Sequence, residues 1–113
     1  MSKVYLVTGC STGLGYQLTK AILLAGHKVI AMSRDPNKIP DVVNEIRSLG
    51  GHWGKLDVTS PDLESQFQQL HKVYGRSDVL INNAATAIGS TVEQINTQTA
   101  RLVFETNVFG AMR

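Results

Sequence analysis

Cysteine is nearly absent from this chain of 113 residues: Cys10 stands alone, so no internal disulfide can form. The three histidines, His27, His52 and His71, have none of the spacings of a metal site, and no metal is expected. Long apolar runs are also lacking. The longest, Ala21–Ala25, falls far short of the roughly 18 residues a membrane-spanning helix needs. Met1-Ser2-Lys3 leads straight into Val4–Val7 without the charged leader and cleavage site of a secretory signal, so a cytoplasmic location is expected and no membrane partner. No block of one charge sign exists: the formal net charge is +2, and Lys and Arg are scattered among the carboxylates, so nucleic acid is not an expected partner. What the chain does have is core material. Leu, Ile, Val and Phe supply 32 of the 113 residues, too many for a disordered chain and enough for one domain spanning residues 1–113.

Strand and helix patterns alternate. Lys3–Thr8 is β-branched and aromatic and stops at Gly9, as a buried strand does. Leu14, Leu18, Ala21, Ile22 and Ala25 then predict a helix facing the core with that stripe and ending at Gly26. Lys28–Ser33 reads as a second strand, and Val42, Ile46 and Leu49 as a second helix starting near Pro40. His52–Asp57 is a weaker third strand. Ser60 as N-cap and Pro61 at the first helical position open a third helix, with Leu63, Phe67, Leu70 and Tyr74 along one face. Val79–Ile81 is the fourth strand, followed by a polar loop through Gly89 and Ser90 and a last helix over roughly 98–112. Such alternation predicts an α/β fold, a doubly wound parallel sheet of Rossmann type with strand order 3-2-1-4. Ligands of such sheets bind at the carboxyl ends of the strands, where the order reverses.

The segment Thr8-Gly9-Cys10-Ser11-Thr12-Gly13-Leu14-Gly15 lies between the first strand and the first helix. Gly9 suits a tight turn, Gly13 a close approach of backbone to a pyrophosphate, and Gly15 close packing of helix on sheet. The unpaired N–H groups of Ser11, Thr12, Gly13 and Leu14 at the helix start would face the anion.

This Thr-Gly-x-x-x-Gly-x-Gly spacing resembles the short-chain dehydrogenase/reductase family. Arg34 after the second strand, Asp57-Val58 after the third, Asn82-Asn83-Ala84-Ala85 after the fourth and Asn107 in Asn107-Val108-Phe109-Gly110 match it in register. The resemblance implies an oxidoreductase that transfers hydride between a nicotinamide dinucleotide and a carbonyl or alcohol carbon. It places Gly9, Ser11, Thr12, Gly13, Leu14, Gly15, Arg34, Asp57, Val58, Asn83, Ala84 and Ala85 on the cofactor. Asp57 would meet the adenine amino group, although an Asx turn before Thr59 explains the same residue. Where the family has a glycine, this sequence has Ala85, whose methyl would crowd the nicotinamide ribose or demand a slightly shifted backbone. Ser33 in place of an acidic residue, with Arg34 next to it, removes repulsion of a 2′-phosphate and offers a bidentate cation, so NADP is favoured over NAD.

Of the family's catalytic set only Asn107 has a counterpart. The serine and the Tyr-x-x-x-Lys motif would fall beyond Arg113, so this chain is expected to be an incomplete, inactive cofactor-binding half of a longer enzyme. The alternative is a dinucleotide-binding module or sensor without chemistry. Tyr16-Gln17-Leu18-Thr19-Lys20 spells the same motif, but it sits at the pyrophosphate end of the first helix and is read as a decoy. Expected partners are the dinucleotide and, in a longer form, a small carbonyl or alcohol substrate. Homo-oligomerisation is left open.

Overall fold

The computed structural model describes residues 2–85, 93–94 and 96–112. Four parallel strands, β1 (Val4–Val7), β2 (Lys28–Ser33), β3 (His52–Lys55) and β4 (Val79–Ile81), form one sheet in the order β3-β2-β1-β4. Between them run the helices α1 (Gly13–Leu24), α2 (Pro40–Ser48) and α3 (Leu63–His71), and α4 (Thr97–Phe104) follows β4. The predicted α/β fold, strand order and all four strands are present. The loop through Gly89 and Ser90 lies outside the described residues.

Both faces of the sheet are covered at its centre, as a parallel sheet requires, while Leu80 on β4 is 49% exposed. Alternate residues of β2 show it: Val29 and Ala31 pack with Val43 and Ile46 of α2 and with Ile22 and Leu23 of α1, while Ile30 and Met32 pack with Leu63 and Leu70 of α3. Among the described residues no helix is long and apolar enough to cross a membrane.

Three helices differ from the sequence expectation. In α1 the buried residues are Gly15 and Thr19, with Ile22 and Leu23 partly buried, whereas Leu14 is 67% exposed and Ala21 and Ala25 are exposed. The helix is rotated because Gly15 approaches the Gly9 carbonyl so closely that any side chain there would collide with it. Thr19 fits this inward face by donating its hydroxyl to Gly15 O at 2.8 Å. In α2 the inward pair is Val43 and Ile46, and Leu49 past the helix end is 40% exposed.

The third helix begins at Leu63, not at Pro61, with Asp62 as its N-cap. Ser60 Oγ spends its acceptor capacity on Asp62 N at 3.1 Å, a local turn that delays the helix by two residues. The last helix is not uniform. After Asn96 caps α4 by accepting from Gln98 N at 2.7 Å and Thr99 N at 3.4 Å, residues Glu105–Gly110 continue as a π-helix.

Candidate functional site

The carboxyl ends of β1, β2 and β4, the segment after β3 and the α4 region enclose a cleft of about 370 Å³. The first wall is the glycine loop. Gly9 has φ +67°, a left-handed conformation, and a Cβ on it would stand 2.8 Å from Ala84 Cα. Gly13, at φ +62°, has no heavy atom within 4 Å of where a Cβ would lie, so it faces open space. A Cβ on Gly15 would lie 2.5 Å from both Asn83 Nδ2 and Gly9 O. Gly15 therefore serves an approach between loop, helix and β4, more specific than the helix-on-sheet packing expected of it.

Thr8, at the end of β1, holds this arrangement together. Its Oγ1 accepts from Asn83 N at 2.9 Å and Ala84 N at 2.8 Å and donates to Ile81 O at 3.4 Å. Asn83 Nδ2 in turn donates to Thr8 O at 3.1 Å and Gly9 O at 3.0 Å. The Asn83 amide thus ties the glycine loop to β4. Cys10 turns inward: its N–H donates to Met32 O at 3.1 Å, its thiol donates to Val7 O at 3.0 Å, and the sulfur, 3.4 Å from Thr19 Oγ1, shares that hydroxyl's one proton with Gly15 O. Burial pushes the Cys10 thiol pKa up, against the hydrogen bonds from Thr19 and Met32 that act to lower it.

At the start of α1, Thr12 is the N-cap but makes no side-chain capping bond, and the first turn contains no acidic residue. Its free N–H groups and the positive end of the helix suit a phosphate.

The second wall lies at the ends of β2 and β3. Arg34 lines the cleft, is exposed, and makes no ion pair or hydrogen bond among the described residues; the neighbouring Asp35 pairs with Lys38 at 4.0 Å instead. Ser33 is 6% exposed, and its Oγ accepts from Trp53 Nε1 at 3.0 Å. Asp57 Oδ1 accepts from Thr59 N at 2.9 Å and Thr59 Oγ1 at 2.6 Å, the Asx turn foreseen as the alternative reading. Burial acts to raise its pKa, but the two Thr59 bonds, with Arg34 and Lys55 nearby, leave the carboxyl below its ordinary value. Asp57 is therefore a carboxylate at neutral pH.

Gly9, Ser11, Thr12, Arg34, Asp57, Val58, Asn83, Ala84 and Ala85 all line this one cleft. Gly13, Leu14, Gly15 and Asn107 do not. Asn107 is exposed, within the π-helical segment. Ala85, like every described non-glycine residue, does not adopt a positive φ. Sequence reasoning passed over Thr8 and the lining residues Leu56, Thr59, Leu102 and Thr106. Thr8 had a signal, a hydroxyl at a strand end directly before the glycine loop; Leu102 and Thr106 had none, because their place depends on how α4 returns to the sheet.

The Tyr16/Lys20 pair lies elsewhere. Tyr16 OH donates to Glu45 Oε1 at 2.6 Å, Lys20 Nζ pairs with the same oxygen at 3.2 Å, and neither lines the cleft. The Glu45 hydrogen bond, foremost, raises the Tyr16 pKa, the opposite of what a tyrosine acting as a base at neutral pH needs. Tyr16→Phe is accordingly expected to leave dinucleotide affinity unchanged within twofold, about the reproducibility of a calorimetric titration. A tenfold loss in that titration would put the pair at the site.

Residues 3–113 match the family model described as short chain dehydrogenase. Among curated proteins, an oxidoreductase of Passalora fulva, claN, is 38% identical over 114 residues, covering 100% of this chain and 52% of the relative. A short-chain dehydrogenase from Streptomyces avermitilis superposes with a TM-score of 0.86 at 33% identity, over 99% of this chain and 41% of that one. An actinorhodin polyketide ketoreductase variant crystallised with NADPH gives a TM-score of 0.90 at 30% identity, over 99% of this chain and 44% of that one. The chain thus spans about half or less of the proteins it matches. With the glycine loop, the 3-2-1-4 sheet and the cleft at its reversal point all in place, the chain belongs to the short-chain dehydrogenase family.

Proposed function

We propose that these 113 residues are the cofactor-binding portion of an NADP-dependent oxidoreductase, an incomplete Rossmann domain whose full-length form works on a small carbonyl or alcohol in the cytoplasm. The observation that carries the reading is the polarity of the cleft. One end offers Ser11 and Thr12 at the uncapped N-terminus of α1, the other offers Arg34, which makes no ion pair among the described residues, next to Ser33 where a carboxylate would repel phosphate. A dinucleotide with a 2′-phosphate matches both ends.

Bound there, the nicotinamide would supply or accept the hydride. The chain's own residues bind and orient. The first turn of α1 neutralises the pyrophosphate, Arg34 pairs with the 2′-phosphate, and the Asp57–Val58 turn, braced by Thr59, borders the adenine end. Among the described residues the lining side chains include serines and threonines but no tyrosine, lysine, histidine or cysteine. Hydride transfer to a carbonyl needs a proton donor at the developing alkoxide, and hydroxyls of ordinary pKa are poor at it. The chain alone is therefore proposed to bind NADP without turning over.

Arg34→Ala tests the reading. Loss of a charge-assisted contact is expected to cost about 1.5–3 kcal/mol, a roughly 10- to 150-fold weakening of NADP, with NAD nearly unchanged. Calorimetric titration of both cofactors measures this, and equal losses for the two would refute the assignment of Arg34.

A further inference from the structure

We infer that Trp53 is a specificity-determining positioning residue: its indole N–H binds the Ser33 hydroxyl from behind and turns that hydroxyl's proton into the cleft, as a donor for a phosphate oxygen beside Arg34. The inference deepens the NADP reading and rests on it.

The sheet register creates the contact. β2 and β3 pair with Ala31 opposite Trp53 and Ser33 opposite Lys55, so Trp53 and Ser33 stand diagonally on the same face. From there the indole reaches forward along β2, and Nε1 meets Ser33 Oγ at 3.0 Å. Trp53 is 4% exposed and Ser33 6% exposed, so neither group has water as an easy substitute.

Chemistry then assigns the direction of the bond. An indole N–H only donates, so Ser33 Oγ must accept on the β3 side, and its single proton must point elsewhere. Among the described residues no acceptor takes that proton, although Ser33 lines the cleft next to Arg34. A buried hydroxyl with its lone pair engaged and its proton unclaimed is prepared for an acceptor arriving through the cleft.

A phosphate is such an acceptor, and the bond to it is charge-assisted. A ribose with two free hydroxyls asks for the reverse, an acceptor for its protons, which the end of β2 could offer as a carboxylate but not as Ser33 held by an indole. Two donors, one neutral and one cationic, thus face the same spot. Polarised hydrogen bonds in series strengthen one another, so phosphate binding at Ser33 should also tighten the indole bond behind it.

Adenosine 2′,5′-bisphosphate and 5′-AMP are suitable probes, since they differ only at the 2′ position and require nothing of the nicotinamide end. Both would be titrated calorimetrically into the full chain and its variants. Trp53→Phe keeps an aromatic ring and removes the N–H; it is expected to reduce the preference for the bisphosphate about three- to tenfold, with 5′-AMP affinity unchanged. Ser33→Ala should show the same loss, and the double variant no more than Ser33→Ala alone, because the two residues act through one hydroxyl. A preference that survives Trp53→Phe but falls in Ser33→Ala would make Trp53 mere filling and overturn the inference. So would additive losses, or no loss in Ser33→Ala. If the preference instead survives Arg34→Ala, the NADP reading itself has failed.

Should Trp53→Phe not fold by circular dichroism, the unaltered protein still decides. Trp53 is its only tryptophan, so one indole N–H resonance reports the bond. That resonance should shift downfield with the bisphosphate and stay in place with 5′-AMP; no difference between the two would overturn the inference.

Discussion

Thr8→Val is expected to destabilise the protein by about 1.5–3 kcal/mol although the two side chains have nearly the same shape. Valine offers no acceptor, so Ala84 N, now held at 2.8 Å, loses its partner where the chain is part-buried, while Asn83 N loses one of two acceptors and keeps Ile81 O at 3.1 Å. An amide left without an acceptor costs more than the neutral bond contributes, because it loses its hydration as well. In a domain of this size the change corresponds to a fall in melting temperature of roughly 8–20 °C. Thr8→Ser keeps the oxygen and should cost under about 1.5 kcal/mol, the scale of one buried methyl group. Thermal melts of the three proteins measure this. A valine variant as stable as the serine variant would show that the hydroxyl is not the tie between β1 and β4.

Gly13→Val is expected to leave the sheet folded and remove dinucleotide binding, by a factor on the order of 100 or more, a loss of about 3 kcal/mol. The surroundings of Gly13 are open, so no core atom need move. The strain is local: a β-branched residue at φ +62° is a steric outlier, and relieving it turns the peptide N–H groups away from the helix end. Calorimetry on a variant with a native circular dichroism spectrum checks this, and an unchanged dissociation constant would remove the phosphate assignment from the loop. Gly15 offers a contrast, because there a side chain meets Asn83 and Gly9 O at 2.5 Å and the cost would fall on folding.

The strands were legible because their information is local. Lys28–Ser33 is a β-branched and apolar run bounded by polar and turn residues, and the structure gives it the same bounds. The strand order followed from alternation with helices. The rotation of α1 was not legible from periodicity, which favours Leu14 and Leu18 over a glycine and a threonine. The true inward face is set by how near Gly15 comes to Gly9 and Asn83, residues that are distant in sequence or belong to a loop. The same holds for the site. The glycine loop, Arg34 and the Asp57–Val58 step could be placed by their positions after strands. The bonds that define their chemistry, Trp53 to Ser33 across 20 residues and Thr8 to Asn83 across 75, leave no pattern in a sequence window. The π-helical turn around Asn107 is likewise invisible to a helix period.

Cys10 sits inside the glycine loop with its sulfur turned to the core, and this makes the thiol a clock. A raised pKa and full burial keep it nearly unreactive while the loop is closed, since alkylating reagents need an accessible thiolate. Labelling must await a local opening in which Thr19 and Val7 O release the sulfur. The labelling rate therefore counts excursions of the glycine loop away from α1, a motion governed by local and not global unfolding. A ligand clamped on that loop slows the clock in proportion to how firmly it holds, without any label attached to the ligand.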